Sequence, residues 1–262
     1  MNNLLETAIK ASLAAGKRIM EIYDNEDFEV EAKGDDSPLT KADLASHEII
    51  IEYLKETNIP ILSEEGKDLP YKERKGWDQL WIVDPIDGTK EFIKKNGEFT
   101  VNIALVEDQI PVLGVIYVPA LEELYYAEKE TGSFKAAGIT ADSKLDRLDQ
   151  LAQRLPLPRK DDSYCVVASK SHLSPETEEY ILTLEKEHGK VTSISKGSSL
   201  KLCMVAEGQA DCYPRFAPTM EWDTAAGQAI CMYAGKTVTD HTTKEPMLYN
   251  RENLLNNWFL VN

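Results

Sequence analysis

The stretch Trp81-Ile82-Val83-Asp84-Pro85-Ile86-Asp87-Gly88-Thr89 decides how this chain folds. Its apolar start predicts a buried strand, and Pro85 and Gly88 predict a turn where that strand ends. Two acids at such a turn point into one small space, which is unfavourable unless a cation lies between them. The stretch therefore predicts a divalent-metal site, and it suggests attack of water on a phosphate.

The composition is that of a globular protein and argues against several classes of partner. The 262 residues are 42% hydrophobic and 28% charged, with a formal net charge of −16. Such a charge disfavours nucleic-acid polymers, which bind to basic surfaces. No apolar run is long enough to span a membrane, so no integral membrane contact is expected. The four cysteines have no CxxC spacing, and we interpret them as reduced core thiols of a cytoplasmic protein.

Hydrophobic periodicity divides the chain into two parts of different character. The first part opens with two helices, one of them over roughly Asn3 to Tyr23. Strands separated by short turns between Phe99 and Ala127 predict an antiparallel meander. Beyond the proline-rich, charged segment Leu155 to Asp162, strands and helices alternate. We therefore predict an α/β (α+β) fold with two lobes, residues 1–155 and 156–262.

Four places along the chain supply carboxylates at the end of a predicted strand or the start of a predicted helix. They are Asp43, Glu64 with its neighbour Glu65, the pair Asp84 and Asp87, and Asp223. Taken singly, Asp43 and Asp223 could stabilise the first turn of a helix, and Glu64 could belong to a solvated loop. The pair Asp84 and Asp87 is different, because a buried strand has no simple reason to end in two close acids.

In combination these segments resemble a known family. Glu64-Glu65 after a short strand, then Asp84 to Thr89 (DPIDGT), then Trp222 to Gly227 (WDTAAG) are the signature, in order, of the magnesium-dependent, lithium-sensitive inositol monophosphatase superfamily. The resemblance implies that superfamily's layered αβαβα sandwich, which suits the predicted two-lobed layout. It also implies a phosphatase, a hydrolase of phosphoric monoesters.

Finer features select a branch of that superfamily. Four segments resemble the CysQ-type 3'(2'),5'-bisphosphate nucleotidases of sulfate assimilation: Asp87 to Leu105, Gly197 to Lys201, Val205 to Ala210 and Tyr213 to Phe216. In the inositol phosphatase branch a threonine-asparagine pair usually stands in place of Lys90-Glu91. Some relatives associate with the inner face of the cell membrane, so peripheral attachment stays an alternative to a freely cytoplasmic location.

The resemblance also implies a set of metal ligands. The residues implied as ligands of two Mg²⁺ ions are Glu64, Asp84, Asp87, Asp223 and, through its backbone carbonyl, Ile86. Asp84 would bridge the two ions. All these ligands are oxygens, which suits Mg²⁺ and not zinc. A third, weaker ion would be shared by Glu64 and Asp43 through water.

Catalytic and substrate-binding roles follow from the same resemblance. Thr89 would orient the attacking water and pass its proton toward Asp43, in a general-base relay. The scissile phosphate would rest on the N–H groups of Gly88 and Thr89 at a helix start. The residues implied around the second phosphate, the ribose and the rest of the nucleotide are Ser169, His172, Gly197 and Lys201. An ordinary surface histidine is the alternative for His172.

The predicted function is removal of the 3'-phosphate of adenosine 3',5'-bisphosphate (PAP) to give AMP and phosphate, with the sulfate-carrying analogue PAPS as a second substrate. One alternative is an inositol monophosphatase or a broad-specificity sugar-phosphate phosphatase that uses the same metals. Another is a non-catalytic regulator that binds metal and a phosphorylated ligand. Thr89 and Asp43 argue against the regulator, because binding alone needs no activated water. The oligomeric state is left open.

Overall fold

A computed structural model of the protein describes residues 2–25, 31–32, 38–67, 69–159, 163–169 and 174–262. The helices are α1 (Asn3–Tyr23), α2 (Lys41–Leu54), α3 (Tyr71–Arg74), α4 (Thr89–Ile93), α5 (Leu148–Leu151), α6 (Pro175–His188), α7 (Leu200–Glu207) and α8 (Glu221–Tyr233). The strands are β1 (Glu31–Ala32), β2 (Pro38–Leu39), β3 (Ile61–Ser63), β4 (Gln79–Asp87), β5 (Thr100–Glu107), β6 (Ile110–Val118), β7 (Glu123–Glu128), β8 (Gly132–Ala137), β9 (Ala152–Arg154), β10 (Tyr164–Ser169), β11 (Val191–Lys196), β12 (Tyr213–Arg215), β13 (Val238–Asp240) and β14 (Phe259–Val261). Within these ranges, no helix has the length and apolar character needed to cross a membrane.

The elements stack in five layers. A seven-stranded sheet runs in the order β3-β4-β5-β6-β7-β8-β9, antiparallel except for the parallel pair β3 and β4. Helices α1 and α2 cover one face of this sheet, and α8, with α7 beside it, covers the other. The small sheets β10-β11 and β12-β14-β13 follow, and α6 packs outside them. The predicted αβαβα sandwich is therefore confirmed.

Strand β4 is apolar at four consecutive positions, Leu80 to Val83, rather than at alternate ones. Leu80 and Ile82 point into the core between the large sheet and α8, whereas Trp81 and Val83 point into the core beneath α1 and α2. A strand that is buried on both faces needs a continuous apolar run. The acids that follow therefore stand at the end of a rigid central strand.

The end of β4 differs from the predicted turn. The strand continues through Pro85, and its pairing with β5 shifts register between two pairs, Asp84 with Asn102 and Asp87 with Thr100. Residues three apart in a regular strand point to opposite faces. The bulge adds one residue to β4, so Asp84 and Asp87 point to the same face. Proline is tolerated at a bulge, which explains its place between the two acids.

Helix α8 lies very close to the large sheet at Gly114 of β6. A Cβ atom built on Gly114 would lie 2.4 Å from the carbonyl oxygen of Ala226 and 2.8 Å from the Cβ of Ala229. Glycine therefore permits the close approach that sets the position of α8. The beginning of that helix carries Asp223, so this contact also places a predicted ligand.

We expect Gly114→Ala to destabilise the protein by roughly 1–3 kcal/mol, the usual cost of forcing extra volume into a packed core. The added methyl group would push α8 away from β6. Denaturant unfolding of the metal-free protein measures the change. Gly76→Ala is the matched control, because nothing lies within 4 Å of a Cβ at Gly76. Equal destabilisation in the two variants would contradict this account of the helix position.

A hydrophobic core joins the two predicted lobes. Leu62 and Ile116, which precede Leu155, belong to the same buried cluster as Leu202, which follows it. The segment that starts at Leu155 is also tied to the first part of the chain, since the Leu155 N–H donates to the Ser133 carbonyl at 2.9 Å. Residues 160–162 of this segment lie outside the described residues. The division into residues 1–155 and 156–262 stays a prediction.

Candidate active site

Asp84 is the buried centre of the acidic cluster, with only 1% of its surface exposed. Its Oδ1 accepts a hydrogen bond from the Ile86 N–H at 3.1 Å, and a further hydrogen bond joins its carboxyl group to that of Glu64. Burial first, and then the charges of Glu64, Asp87 and Asp223, raise the pKa of Asp84 well above its ordinary value. Asp84 and Glu64 therefore form a close pair of acids in the interior.

Two other elements bring acids to Asp84. Glu64 directly follows β3, and its N–H donates to the Val83 carbonyl of the parallel strand β4 at 3.1 Å. Asp223 is the third residue of α8, and its Oδ2 accepts from the Met220 N–H at 2.8 Å. Burial, followed by the charge of Asp87, raises the pKa of Asp223 to about 8. This hydrogen bond caps α8, which begins at Glu221.

The cluster fits the chemistry of Mg²⁺, although its side chains are not arranged as a finished metal site. Among the described residues, no group of three or more His, Cys, Asp or Glu side chains is placed to hold a metal ion. The donors around the bulge are nevertheless carboxylate oxygens and a backbone carbonyl, which are the hard ligands that Mg²⁺ prefers. Burial and the neighbouring acids raise the pKa of Asp84 and of Asp223, and a cation among these carboxylates would relieve their mutual repulsion. The individual ligands and the number of ions stay predictions.

Asp43 and Thr89 are in direct contact. The Thr89 Oγ1 donates to Asp43 Oδ1 at 3.1 Å. The other carboxylate oxygen, Oδ2, accepts from the N–H and the hydroxyl of Thr40 at 2.8 and 2.5 Å, which caps α2. Burial is the main reason why the pKa of Asp43 is raised. The helix-capping alternative and the predicted catalytic role therefore use different oxygens of one side chain.

Gly88 connects the acidic bulge to α4. Its φ is +93°, in the left-handed region, and a Cβ there would lie 3.1 Å from the Glu98 carbonyl oxygen and 3.2 Å from the Ser198 Cβ. Only glycine adopts such a conformation without strain. The chain can therefore turn sharply between Asp87 and Thr89. Helix α4 has only five residues, and the predicted phosphate contact at its start stays a prediction.

A cavity of about 370 Å³ opens beside the acids. The predicted site residues that line it are Asp87, Gly88, Gly197, Lys201 and Asp223. The predicted residues that do not line it are Asp43, Glu64, Asp84, Ile86 and Thr89. Ser169 ends β10, where it pairs with Lys196 of β11. His172 lies outside the described residues.

Lys196 and Arg215 line the cavity and were not predicted as site residues. The basic residues of the lining are Lys90, Lys94, Lys196, Lys201 and Arg215. Such a concentration of positive charge stands out in a chain with a net charge of −16. The basic residues are scattered along the chain, so the sequence by itself does not show that they meet. The lining therefore combines these basic residues with acids, and one of the bases, Lys196, pairs with Glu98 at 3.1 Å.

Lys201 is the most deeply buried of the basic residues, with 7% of its surface exposed. Its Nζ donates to the carbonyl oxygens of Ser198 and Lys196 at 2.6 and 3.3 Å. Burial lowers the pKa of Lys201 to about 8, although the charge of Asp87 opposes the shift. Arg215 donates to the Pro218 carbonyl at 2.9 Å, while its buried Nε has no partner among the described residues.

Comparison with known proteins decides the family. The sequence model of the inositol monophosphatase family matches residues 1–260. The chain belongs to the inositol monophosphatase family. Members of this family are phosphatases that generally depend on a metal, typically Mg²⁺, so the protein is a hydrolase of phosphoric monoesters.

Individual relatives confirm the predicted resemblance to the CysQ branch of the inositol monophosphatase family. The 3'(2'),5'-bisphosphate nucleotidase CysQ of Salmonella typhimurium is 45% identical over 98% of this chain and 99% of that protein. The crystal structure of CysQ from Bacteroides thetaiotaomicron matches with a TM-score of 0.91 and 55% identity, covering 98% of this chain and 96% of that one. An inositol monophosphatase of Thermotoga maritima shares the fold, with a TM-score of 0.75 and 24% identity over 100% of this chain and 92% of that one.

Proposed function

We propose that the protein is a Mg²⁺-dependent, lithium-sensitive 3'(2'),5'-bisphosphate nucleotidase that converts PAP to AMP and phosphate in sulfate assimilation, with PAPS as a second substrate. One observation carries the proposal: a single cavity joins Asp87 and Asp223 to the basic residues Lys201 and Arg215. A bisphosphate needs compensating charge at two places, one for the phosphate that is cleaved and one for the phosphate that stays. The full-length likeness to proteins named CysQ supports the same substrate class.

The acids at and beside the cavity are proposed to hold the metal. The proposed ligands of two Mg²⁺ ions are Glu64, Asp84, the Ile86 carbonyl, Asp87 and Asp223, with a third ion shared by Glu64 and Asp43. Bound there, Mg²⁺ would neutralise charge on the phosphate and lower the pKa of water. Asp84, whose charge interacts with those of Glu64, Asp87 and Asp223, would be a ligand to both ions.

Thr89 and Asp43 are proposed to take the proton of the attacking water. The Thr89 hydroxyl has one proton, and the Asp43 oxygen at 3.1 Å is a nearer acceptor than the Ile86 carbonyl at 3.4 Å. With that proton directed at Asp43, the lone pairs of the Thr89 oxygen can accept from water. Because burial raises the pKa of Asp43, its carboxylate is a stronger base than an exposed aspartate.

The substrate is proposed to lie across the cavity from the acids to the bases. The N–H groups of Gly88 and Thr89 would hold the scissile phosphate, and Lys201 would pair with the second phosphate, near Gly197. Lys201 already has two of its protons directed at backbone carbonyls, so its ammonium group is held in place before substrate arrives. Contacts from Ser169 and His172 to the second phosphate or the ribose remain part of the proposal.

The kcat/KM for PAP is expected to fall about tenfold between pH 7 and pH 9 because of Lys201. Burial disfavours the charged lysine and lowers its pKa to about 8, so the free enzyme loses this positive charge as the pH rises through 8. Lys201→Met should have a lower kcat/KM at pH 7 and should lack the fall assigned to Lys201. Initial rates across this range measure the effect. An undiminished fall in Lys201→Met would contradict the assignment.

The direct test of the function is phosphate release from PAP and from inositol 1-phosphate with Mg²⁺, each repeated with Li⁺. We expect a strong, lithium-sensitive preference for PAP. Preference for inositol 1-phosphate would keep the site and favour the inositol monophosphatase alternative. Magnesium-dependent binding of PAP without phosphate release would favour the regulator, although the contact between Thr89 and Asp43 argues against it.

A cytoplasmic location is part of the proposal. The four cysteines, Cys165, Cys203, Cys212 and Cys231, are all free and buried. Unpaired buried thiols are typical of proteins from reducing compartments. Peripheral attachment to the inner face of the membrane stays an alternative, which fractionation of cells at low and high salt would test.

A further inference from the structure

Ser199 stands at the N-cap position of α7, but its hydroxyl group does not cap the helix. It occupies the position before α7, where serine normally accepts a hydrogen bond from the first turn, yet its side chain makes no capping bond. The hydroxyl, in a residue that is 2% exposed, instead lies 2.6 Å from Asp87 Oδ2 and 2.9 Å from the Asp223 carbonyl oxygen. Its third neighbour is Asn102 Nδ2, at 2.9 Å.

The protons of this group can be assigned. Asn102 Nδ2 is a donor only, so the Ser199 oxygen accepts from it and has its single proton left to give. Asp87 is the nearer acceptor and a carboxylate, which makes a stronger hydrogen bond than the Asp223 carbonyl. The chain of donors therefore runs from Asn102 through Ser199 to one oxygen of Asp87.

Asn102 itself points to a ligand in this region. It stands on β5 directly opposite Asp84, on the face of the sheet that carries both acids of the bulge. While Nδ2 of Asn102 is directed at Ser199, its Oδ1 is buried and has no hydrogen-bond partner among the described residues. The hydroxyl of Thr100, opposite Asp87, is also buried without a partner among them. Buried polar atoms are almost always paired, so water or a hydrated ion is expected beside them.

We propose that Ser199, oriented by Asn102, is a positioning residue that holds the Asp87 carboxylate in the direction needed to bind Mg²⁺ and thereby sets the affinity for the metal. This inference rests on the proposed function, since it concerns the same metal centre. The hydroxyl fixes Asp87 Oδ2 and leaves Oδ1 to the cation. The Ser199 oxygen also lies 2.9 Å from the backbone carbonyl oxygen of Asp223, so one side chain stands between two proposed ligands from β4 and α8. Neither Ser199 nor Asn102 needs to touch the metal.

The test is the affinity of the substrate-free protein for Mg²⁺ alone, measured by isothermal titration calorimetry. Ser199→Ala is expected to weaken this affinity roughly 10- to 100-fold, the usual effect of removing a group that orients a metal ligand. The Mg²⁺ concentration for half-maximal phosphate release should rise by a similar factor, with kcat at saturating Mg²⁺ much less affected. Ser199→Thr, which keeps a hydroxyl group, should restore most of the affinity.

Two further variants make the test decisive. Asn102→Leu removes the donor that orients Ser199 without touching Ser199 itself, and it is expected to weaken Mg²⁺ binding by a smaller factor. It also decides the matter if Ser199→Ala fails to fold. Ser133→Ala is the matched control, because Ser133 is a buried serine on β8 whose hydroxyl has no partner among the described residues. Its Mg²⁺ affinity should equal that of the wild type.

Unchanged Mg²⁺ affinity in both Ser199→Ala and Asn102→Leu would overturn the proposal. The same holds if the variants only lower the unfolding midpoint of the metal-free protein, because that result assigns Ser199 a purely structural role. A wild-type protein that binds Mg²⁺ but releases no phosphate would refute the proposed function alone, and the affinity series would still decide the role of Ser199. A wild-type protein that binds no Mg²⁺ would refute both.

Discussion

Asp87→Asn is expected to lower kcat for PAP by on the order of 10³-fold at saturating Mg²⁺. Asparagine keeps the shape of the side chain but removes the charge that would bind the cation, and the lost stabilisation of charge in the transition state amounts to several kcal/mol. The fold should persist, since the Ser199 hydroxyl, now 2.6 Å from Asp87 Oδ2, can also donate to an amide oxygen. Phosphate release over a full Mg²⁺ titration measures the loss.

Stability separates this effect from simple unfolding. The metal-free Asp87→Asn protein should unfold at the same or a higher denaturant concentration, because one charge is removed from the crowded acids around Asp84. Asp108→Asn is the matched control, since Asp108 is exposed on the turn between β5 and β6. It should leave kcat unchanged. Retained activity in a folded, metal-saturated Asp87→Asn protein would remove the proposed mechanism.

Thr89→Ala is expected to lower kcat by roughly 10²- to 10⁴-fold, the usual contribution of general acid–base catalysis. The variant loses the hydroxyl that lies 3.1 Å from Asp43 Oδ1, so the proton of the attacking water has no path to the base. Thr89 is a cleaner target than Asp43, whose other oxygen caps α2 through Thr40. Replacing Asp43 would disturb that helix as well as the relay.

Thr89→Ser provides the control for this prediction. Serine keeps the hydroxyl and should retain most of the activity, whereas Thr89→Ala should lose it with little change in Mg²⁺ affinity. Single-turnover measurements with PAP separate the hydrolysis step from product release. Equal activity in the two variants would exclude a relay through residue 89.

Much of the architecture could be predicted from local patterns. Helix α1 has the predicted bounds, Asn3–Tyr23, because one face of it is buried along its whole length and its periodicity is therefore complete. The predicted meander is confirmed as β5, β6 and β7. It extends into β8 and β9, which the sequence analysis did not predict. Strand β9 forms the edge of the sheet next to β8, and it is mostly exposed and lacks an apolar signal.

Local sequence patterns do not reveal how the two acids of β4 come to lie on one face of the sheet. The sequence placed Asp84 and Asp87 at the end of a buried strand, but only the bulge opposite Asn102 and Thr100 puts both on one face. A register shift depends on the pairing of two strands, and no spacing within one strand reveals it. For this reason the strand continues through Pro85, where a turn was expected, and the chain turns only at Gly88.

The sequence by itself determined the family, the layered fold and the set of acids, because motifs and apolar periodicity are local and each leaves a mark on neighbouring residues. Only the tertiary structure decided that the two carboxylate oxygens of Asp43 accept hydrogen bonds from Thr40 and Thr89. It also decided that the Ser199 hydroxyl donates to Asp87 instead of capping α7. It also brought Lys196 and Arg215 to the cavity. These contacts join elements far apart in the chain, and they form because close packing buries polar groups, which then pair with whatever polar group the fold brings near them.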